Sequence, residues 1–161
     1  MIRRSIVAGL AAAALALSAL SAAHAGTITQ TTHVGTYGIT LMVEGPQMMH
    51  MMGSGSGGET TVGGKNATCM YKGGMGASKG PMCNHHIEIH VTKSGKVDIH
   101  AKVSITLTNG KTHKKMVVPI MNMYGKDVRD YHYGNNIYAP SGTYTVAVIV
   151  DKVKTSFTIK L

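Results

Sequence analysis

The chain has 161 residues, 12 of them methionine, with 16 basic side chains against 7 acidic ones and a formal net charge of +9 at pH 7. That length fits one domain after a leader. The basic excess is dispersed, with Lys114-Lys115 the only adjacent pair after residue 25. This excludes the dense basic stripe with interleaved aromatics of a nucleic-acid binder. It reads as a solvated surface, with contact to acidic lipid or surface polymers as the alternative.

The start, Met1-Ile2-Arg3-Arg4, is basic. An Ala/Leu-rich apolar stretch from Ser5 to Ala23 follows, then Ala23-His24-Ala25. That is the three-part pattern of a secretory signal cleaved after Ala25, with Gly26 as the first mature residue. The alternative is a retained transmembrane anchor, against which the flanks and the cleavage triplet argue. Arg3-Arg4 hints at twin-arginine export, though Ser5-Ile6-Val7 fits that pattern poorly. No Cys stands at the cleavage site to carry a lipid. The expected location is the periplasm.

Residues 33–44 predict a first strand, ended by Gly45-Pro46. Residues 45–84 predict a long, flexible insertion rich in Gly and Met, since no strand or helix period runs through them. Within it, Gln47-Met48-Met49-His50-Met51-Met52 is a polar-flanked thioether cluster of the kind that holds Cu(I), or else low-complexity drift. Cys69 and Cys83 suggest a disulfide in an oxidising compartment, worth about 3 kcal/mol for a loop of that size. A pair of soft metal ligands is the alternative.

Residues 85–161 alternate apolar and polar side chains in several runs, with Asn109-Gly110 as a hairpin signal. Residues 116–121 predict a further strand, with Pro119 at its edge or end. Residues 143–150 and 152–161 give the last two strands. No helical period appears in the mature chain. The fold class predicted is an all-β, antiparallel sandwich in a single domain, 26–161.

A hairpin from His86 to Leu107 turns, on this reading, through the three-residue loop Lys93-Ser94-Gly95. Ile87, Ile89 and Val91 then face the core opposite Ala101, Ile99 and Val97. The other face gathers His86, Glu88 and His90 with Asp98 and His100, placing Glu88 opposite His100 and His90 opposite Asp98. Three imidazoles and two carboxylates in one patch fit a divalent metal site, where carboxylates hold or orient the imidazoles. An ordinary polar solvent face is the alternative. Met121 and Met123 share one side of their strand and lead to His132-Tyr133-Gly134-Asn135-Asn136. Thioether beside imidazole favours copper, while packing is the commoner role of such methionines.

His86-Ile87-Glu88, Met121-Asn122-Met123 and His132-Tyr133-Gly134-Asn135-Asn136 together resemble a family of periplasmic, iron-transport-associated, copper-binding proteins with an immunoglobulin-like sandwich. The resemblance covers residues 84–161 and, more weakly, 33–44. It implies His86 and Glu88 near the metal, Met123 as thioether ligand and His132 as imidazole ligand. It also implies a homodimer, bound copper, and assistance to ferrous iron uptake with a membrane permease as partner. Asp151-Lys152-Val153-Lys154 is too short to carry the His that family members send to the partner subunit. His90, His100 or a Met of 48–52 is then expected to complete the ligand set. The Met-rich insertion and the cysteine pair also depart from the family pattern.

The functional expectation is a periplasmic metal-binding protein, copper first and iron second, acting in copper or iron handling. A structural or adhesion sandwich without metal is the competing reading. No nucleophile–base–orienter arrangement, phosphate loop or zinc-protease motif is present, so no enzymatic activity is expected.

Overall fold

The computed structural model describes residues 26–51, 58–71, 76–125 and 127–161. The proposed signal segment, Met52 and Met75 lie outside the described residues. The strands, in chain order, are β1 (Ile28–Val34), β2 (Tyr37–Glu44), β3 (Met49–Met51), β4 (Glu59–Gly64), β5 (His85–Lys93) and β6 (Lys96–Val97). They continue with β7 (Val103–Asn109), β8 (Lys115–Val118), β9 (Met121–Tyr124), β10 (Tyr131–Ile137), β11 (Thr143–Val150) and β12 (Val153–Lys160). A single 3-10 turn at Val128–Asp130 is the only helical element among the described residues.

The strands form a two-sheet, all-β sandwich. One sheet runs β1-β2-β5-β10-β9-β4-β3, with β6 added to β5, and the other runs β12-β11-β7-β8. Every pairing is antiparallel except β3 with β4. The period of two explains the core. Ile39, Leu41 and Val43 of β2 and Ile87, Ile89 and Val91 of β5 point inward. They meet Ile105 and Leu107 of β7, Val146, Val148 and Val150 of β11, and Phe157 and Ile159 of β12, all buried. Each such burial stabilises by about 1.5–3 kcal/mol.

Three sequence expectations change in the folded chain. The first strand is a hairpin: His33 and Val34 end β1, and Gly35, at a φ of 60°, turns the chain into β2. Residues 116–121 are two strands, because Pro119 ends β8 and the chain crosses to the other sheet to start β9. The hairpin after β5 is shifted by one residue. Its turn is the two-residue Ser94-Gly95, both at positive φ, and it sets Lys93 opposite Lys96 and Thr92 opposite Val97. Such a turn matches the right-handed twist of its strands, and a slip of one exchanges the faces. Pairing then stops, and residues 98–102 carry the chain to the second sheet. Ile99 and His100 are exposed, so the expected pairs Ile89–Ile99, Glu88–His100 and His90–Asp98 do not form.

Within residues 45–84, expected as a flexible insertion, the described parts include β3 and β4, which extend the large sheet beyond β9. Asn135 ties this extension down. Its side chain faces the core side opposite Ile87, where its Nδ2 donates to the carbonyls of Lys65 and Pro119, both at 2.8 Å.

The two sheets are also clamped at the β11–β12 turn. The Asp151 carboxylate accepts from the Tyr37 hydroxyl at 2.7 Å and the Lys102 amide at 3.0 Å. The amide and then the hydroxyl hold the Asp151 pKa below 3.8. Asp151→Ala is therefore expected to lower the melting temperature by a few degrees at neutral pH. A depressed carboxyl stabilises above its unfolded pKa and loses that effect as pH falls through the folded one. The gap between parent and variant should thus close below pH 3.8, as thermal melts across pH 2–7 would show.

Candidate metal centre

The outer face of the large sheet carries the chemistry. Alternation on β5 turns His86, Glu88 and His90 away from the core, and the same face receives His132, Gly134 and Asn136 from β10. Strand register sets Asn136 opposite His86 and Gly134 opposite Glu88, while Met123 and Met121 of β9 lie opposite His132 and Gly134. On the far side of β5, Glu44, Met42 and Thr40 of β2 stand opposite His86, Glu88 and His90.

This face is covered. A second small core of Met49, Ala67, Met121, Met123 and the Cys69–Cys83 disulfide, with Tyr71 packed on it, lies over the sheet at β9 and β4. The disulfide reading of the two cysteines holds, with Cα atoms 5.1 Å apart. His86 and His132 are consequently 0% and 1% exposed and Glu88 4%. Polar groups buried this deeply require partners.

The partners fix the imidazole tautomers. Asn136 is oriented by the Gln47 backbone, its Nδ2 donating to Gln47 O at 2.7 Å and its Oδ1 accepting from Gln47 N at 2.9 Å. That Oδ1 also lies 2.9 Å from His86 Nδ1, which must donate. His132 Nδ1 lies 2.8 Å from the Asp130 carbonyl, an acceptor only, and must donate too. Burial lowers both histidine pKa values and favours the neutral rings. Each Nε2 is then a bare lone pair, and both are buried with no hydrogen-bond partner.

Carboxylates surround them. Glu88 places Oε1 3.7 Å from His86 Nε2 and Oε2 2.9 Å from His90 Nε2. Burial pushes the Glu88 pKa up, but the His90 hydrogen bond and the fields of His132 and His86 outweigh it and hold the group below its ordinary value. Glu59 places Oε2 3.4 Å from His132 Nε2, and burial, then Glu88, Asp130 and Glu44, raise its pKa to about 7. Four of the chain's seven acidic residues thus interact in one patch of a protein with net charge +9.

One ligand atom from each of His86, Glu88 and His132 lies within 4.8 Å of the other two, and His90, Asp130 and His132 form a second such group. Two neutral imidazoles with fixed outer hydrogen bonds and a carboxylate are donor types that suit a divalent ion or copper, and the two Nε2 atoms are otherwise unsatisfied. Met123 is fully buried and paired with His132, and Met121 lies two register pairs along, opposite Gly134.

His86, Glu88, His90, Met121, Met123 and His132 all fall on this face. His100 does not: it sits exposed in the 98–102 crossover, and Met42 and Gly134 are Glu88's cross-strand neighbours instead. Of the thioether cluster, Met49 is buried in the second core, Met48 and Met51 are exposed, and His50 is half-buried. Sequence reasoning missed Glu59, Asp130 and Glu44. For Glu59 the available signal was the β-prone Thr60-Thr61-Val62 that follows it.

Gly134 makes this convergence possible. A Cβ there would run into the Ile87 carbonyl, so only glycine lets β10 approach β5 this closely. Gly134→Ala is expected to cost about 3 kcal/mol and to separate the two histidine strands, read as a lowered urea midpoint. Comparison of the chain with family models, with curated proteins and with solved structures finds no match, so the geometry of this face carries the functional reading.

Proposed function

We propose that this chain is an exported metal-binding protein of the periplasm, copper first, that captures the ion for copper or iron handling and passes it to a membrane permease. The observation that carries this reading is the pair of buried Nε2 lone pairs on His86 and His132, each ring fixed by a hydrogen bond at its other nitrogen, the first 3.7 Å from Glu88 and the second 3.4 Å from Glu59. Neither atom has a hydrogen-bond partner among the described residues, and a bound metal ion would satisfy them.

His86, His132 and Glu88 would hold the ion, with the Met123 thioether as the soft donor that favours copper over zinc. His90 hydrogen-bonds Glu88 and orients it. Asn136 and the Asp130 carbonyl orient the two rings, the outer support that metal-binding histidines characteristically have. The concentration of acidic groups draws cations to a protein whose overall charge repels them. Copper held here would supply a one-electron couple between Cu(II) and Cu(I). The chain's own part is to bind, to orient, and to exclude water beneath the insertion.

Calorimetric titration with Cu(II) should show about one ion per chain at this site, with Kd below ~10 μM. Absence of such binding would end the proposal. Met123 is buried, so Met123→Ala would create a cavity and lower stability by about 2–5 kcal/mol. Met123→Leu keeps the volume and removes the thioether. It is expected to weaken Cu(I) about tenfold, ~1.4 kcal/mol, in competition with a chromogenic chelator, while leaving Zn(II) affinity and the metal-free melting curve nearly unchanged.

A further inference from the structure

Glu59 enters the site from an unexpected direction. It is the first residue of β4, in the Gly- and Met-rich insertion, and its side chain reaches the face built by β5 and β10. Its Oε2 is buried without a hydrogen-bond partner and lies 3.4 Å from the equally unpartnered Nε2 of His132. His132 Nδ1 holds the ring's proton against the Asp130 carbonyl. With Glu59 ionised, a carboxylate oxygen and an imidazole lone pair face each other with no donor between them. Two such acceptors repel at that distance unless a proton or a metal ion lies between. Two donors bound to one ion at about 2.0–2.2 Å sit roughly 3.0 Å apart at the right angle of tetragonal Cu(II) and roughly 3.4 Å apart at a tetrahedral angle, a range that reaches the 3.4 Å seen.

Resting on the metal-binding reading above, we propose that Glu59 is a further ligand to the ion held by His132, so that loading the site fastens the insertion to the sandwich. The mechanical link is visible in the strands. Glu59 stands opposite Met49 of β3, and its amide donates to the Met48 carbonyl at 2.6 Å. Thr60 and Thr61 pair with Tyr124 and Met123 of β9. An ion joining Glu59 to His132 thus ties together β10, β4 and the Met48–Met51 edge.

The test uses the whole protein with Cu(II) as probe, comparing the parent with Glu59→Gln, Glu59→Asp and His132→Gln. Three readouts serve: calorimetric affinity, the Cu(II) electron paramagnetic resonance spectrum, and amide hydrogen exchange at residues 59–61. Glu59→Gln should weaken Cu(II) at least tenfold and alter the spectrum, and Glu59→Asp should restore part of the loss. Copper should slow exchange at 59–61 in the parent and leave it unchanged in Glu59→Gln. The metal-free melting temperature of Glu59→Gln should equal or exceed the parent's, whereas a merely structural carboxylate would show as a loss there. If the parent and His132→Gln bind copper alike, the metal-binding reading itself fails. If the parent binds tightly, His132→Gln does not, and Glu59→Gln matches the parent in affinity and spectrum, a proton fills the gap beside His132 and only the Glu59 assignment falls.

Discussion

β5 is the strand on which both halves of the molecule lean, because both of its faces are buried. A strand with one solvated face tolerates polar residues there at no cost. Here Ile87, Ile89 and Val91 go into the sandwich core, and His86, Glu88 and His90 go beneath a second layer made from the insertion. Desolvating that polar face is the central expense of the fold. It is met by specific partners: Asn136 Oδ1 accepts from His86, the Asp130 carbonyl accepts from His132, and His90 donates to Glu88. What those partners leave unsatisfied, two ring nitrogens and a carboxylate oxygen, is concentrated at one place. Buried polar atoms without partners are few in folded proteins and each asks for a reason. Three of them on one face, with acidic groups around them, are the basis of the proposed metal site.

The covering layer has too few residues to make a core alone. Its strands β3 and β4 prolong the large sheet, and its remaining chain is cross-linked by Cys69–Cys83 over the thioethers of Met49, Met121 and Met123. Cross-linking a loop of this size removes unfolded-state freedom worth about 3 kcal/mol, which suits a layer whose apolar burial is modest. The methionines thereby do two jobs. Their bulk fills an irregular gap between disulfide and sheet, and Met123 adjoins the imidazole of His132.

How far the sequence could be read depended on the range of each interaction. The alternation of residues 143–150 and 153–160 is local and strict, so β11 and β12 were legible. The three residues of β5 on the candidate site's face were legible for the same reason, as was the shared side of Met121 and Met123, whereas Met123 beside His132 was implied only by the family resemblance. Register was not, because the choice between a two- and a three-residue turn at 93–95 depends on twist and on where the chain next has to go. That one-residue slip removed His100 and Asp98 from the site. Glu59 was illegible for a different reason: it lies 73 positions before His132 in the chain, behind a Gly/Ser run with no period of its own, and only the pairing of β4 with β9 brings it close.

The edges of the two sheets carry one more implication. On one side of the sandwich β1 and β12 lie together, Gln30 Nε2 donating across to the Thr158 carbonyl at 2.9 Å, so these long strands screen each other. On the other side, among the described residues, the sheets end at β3, of three residues, and β8, of four, the latter flanked by Lys114 and Pro119. Short, charged and proline-ended borders are poor templates for strand addition. A chain this rich in β-structure thereby offers few open templates for the fibre growth to which exposed sheet edges are prone.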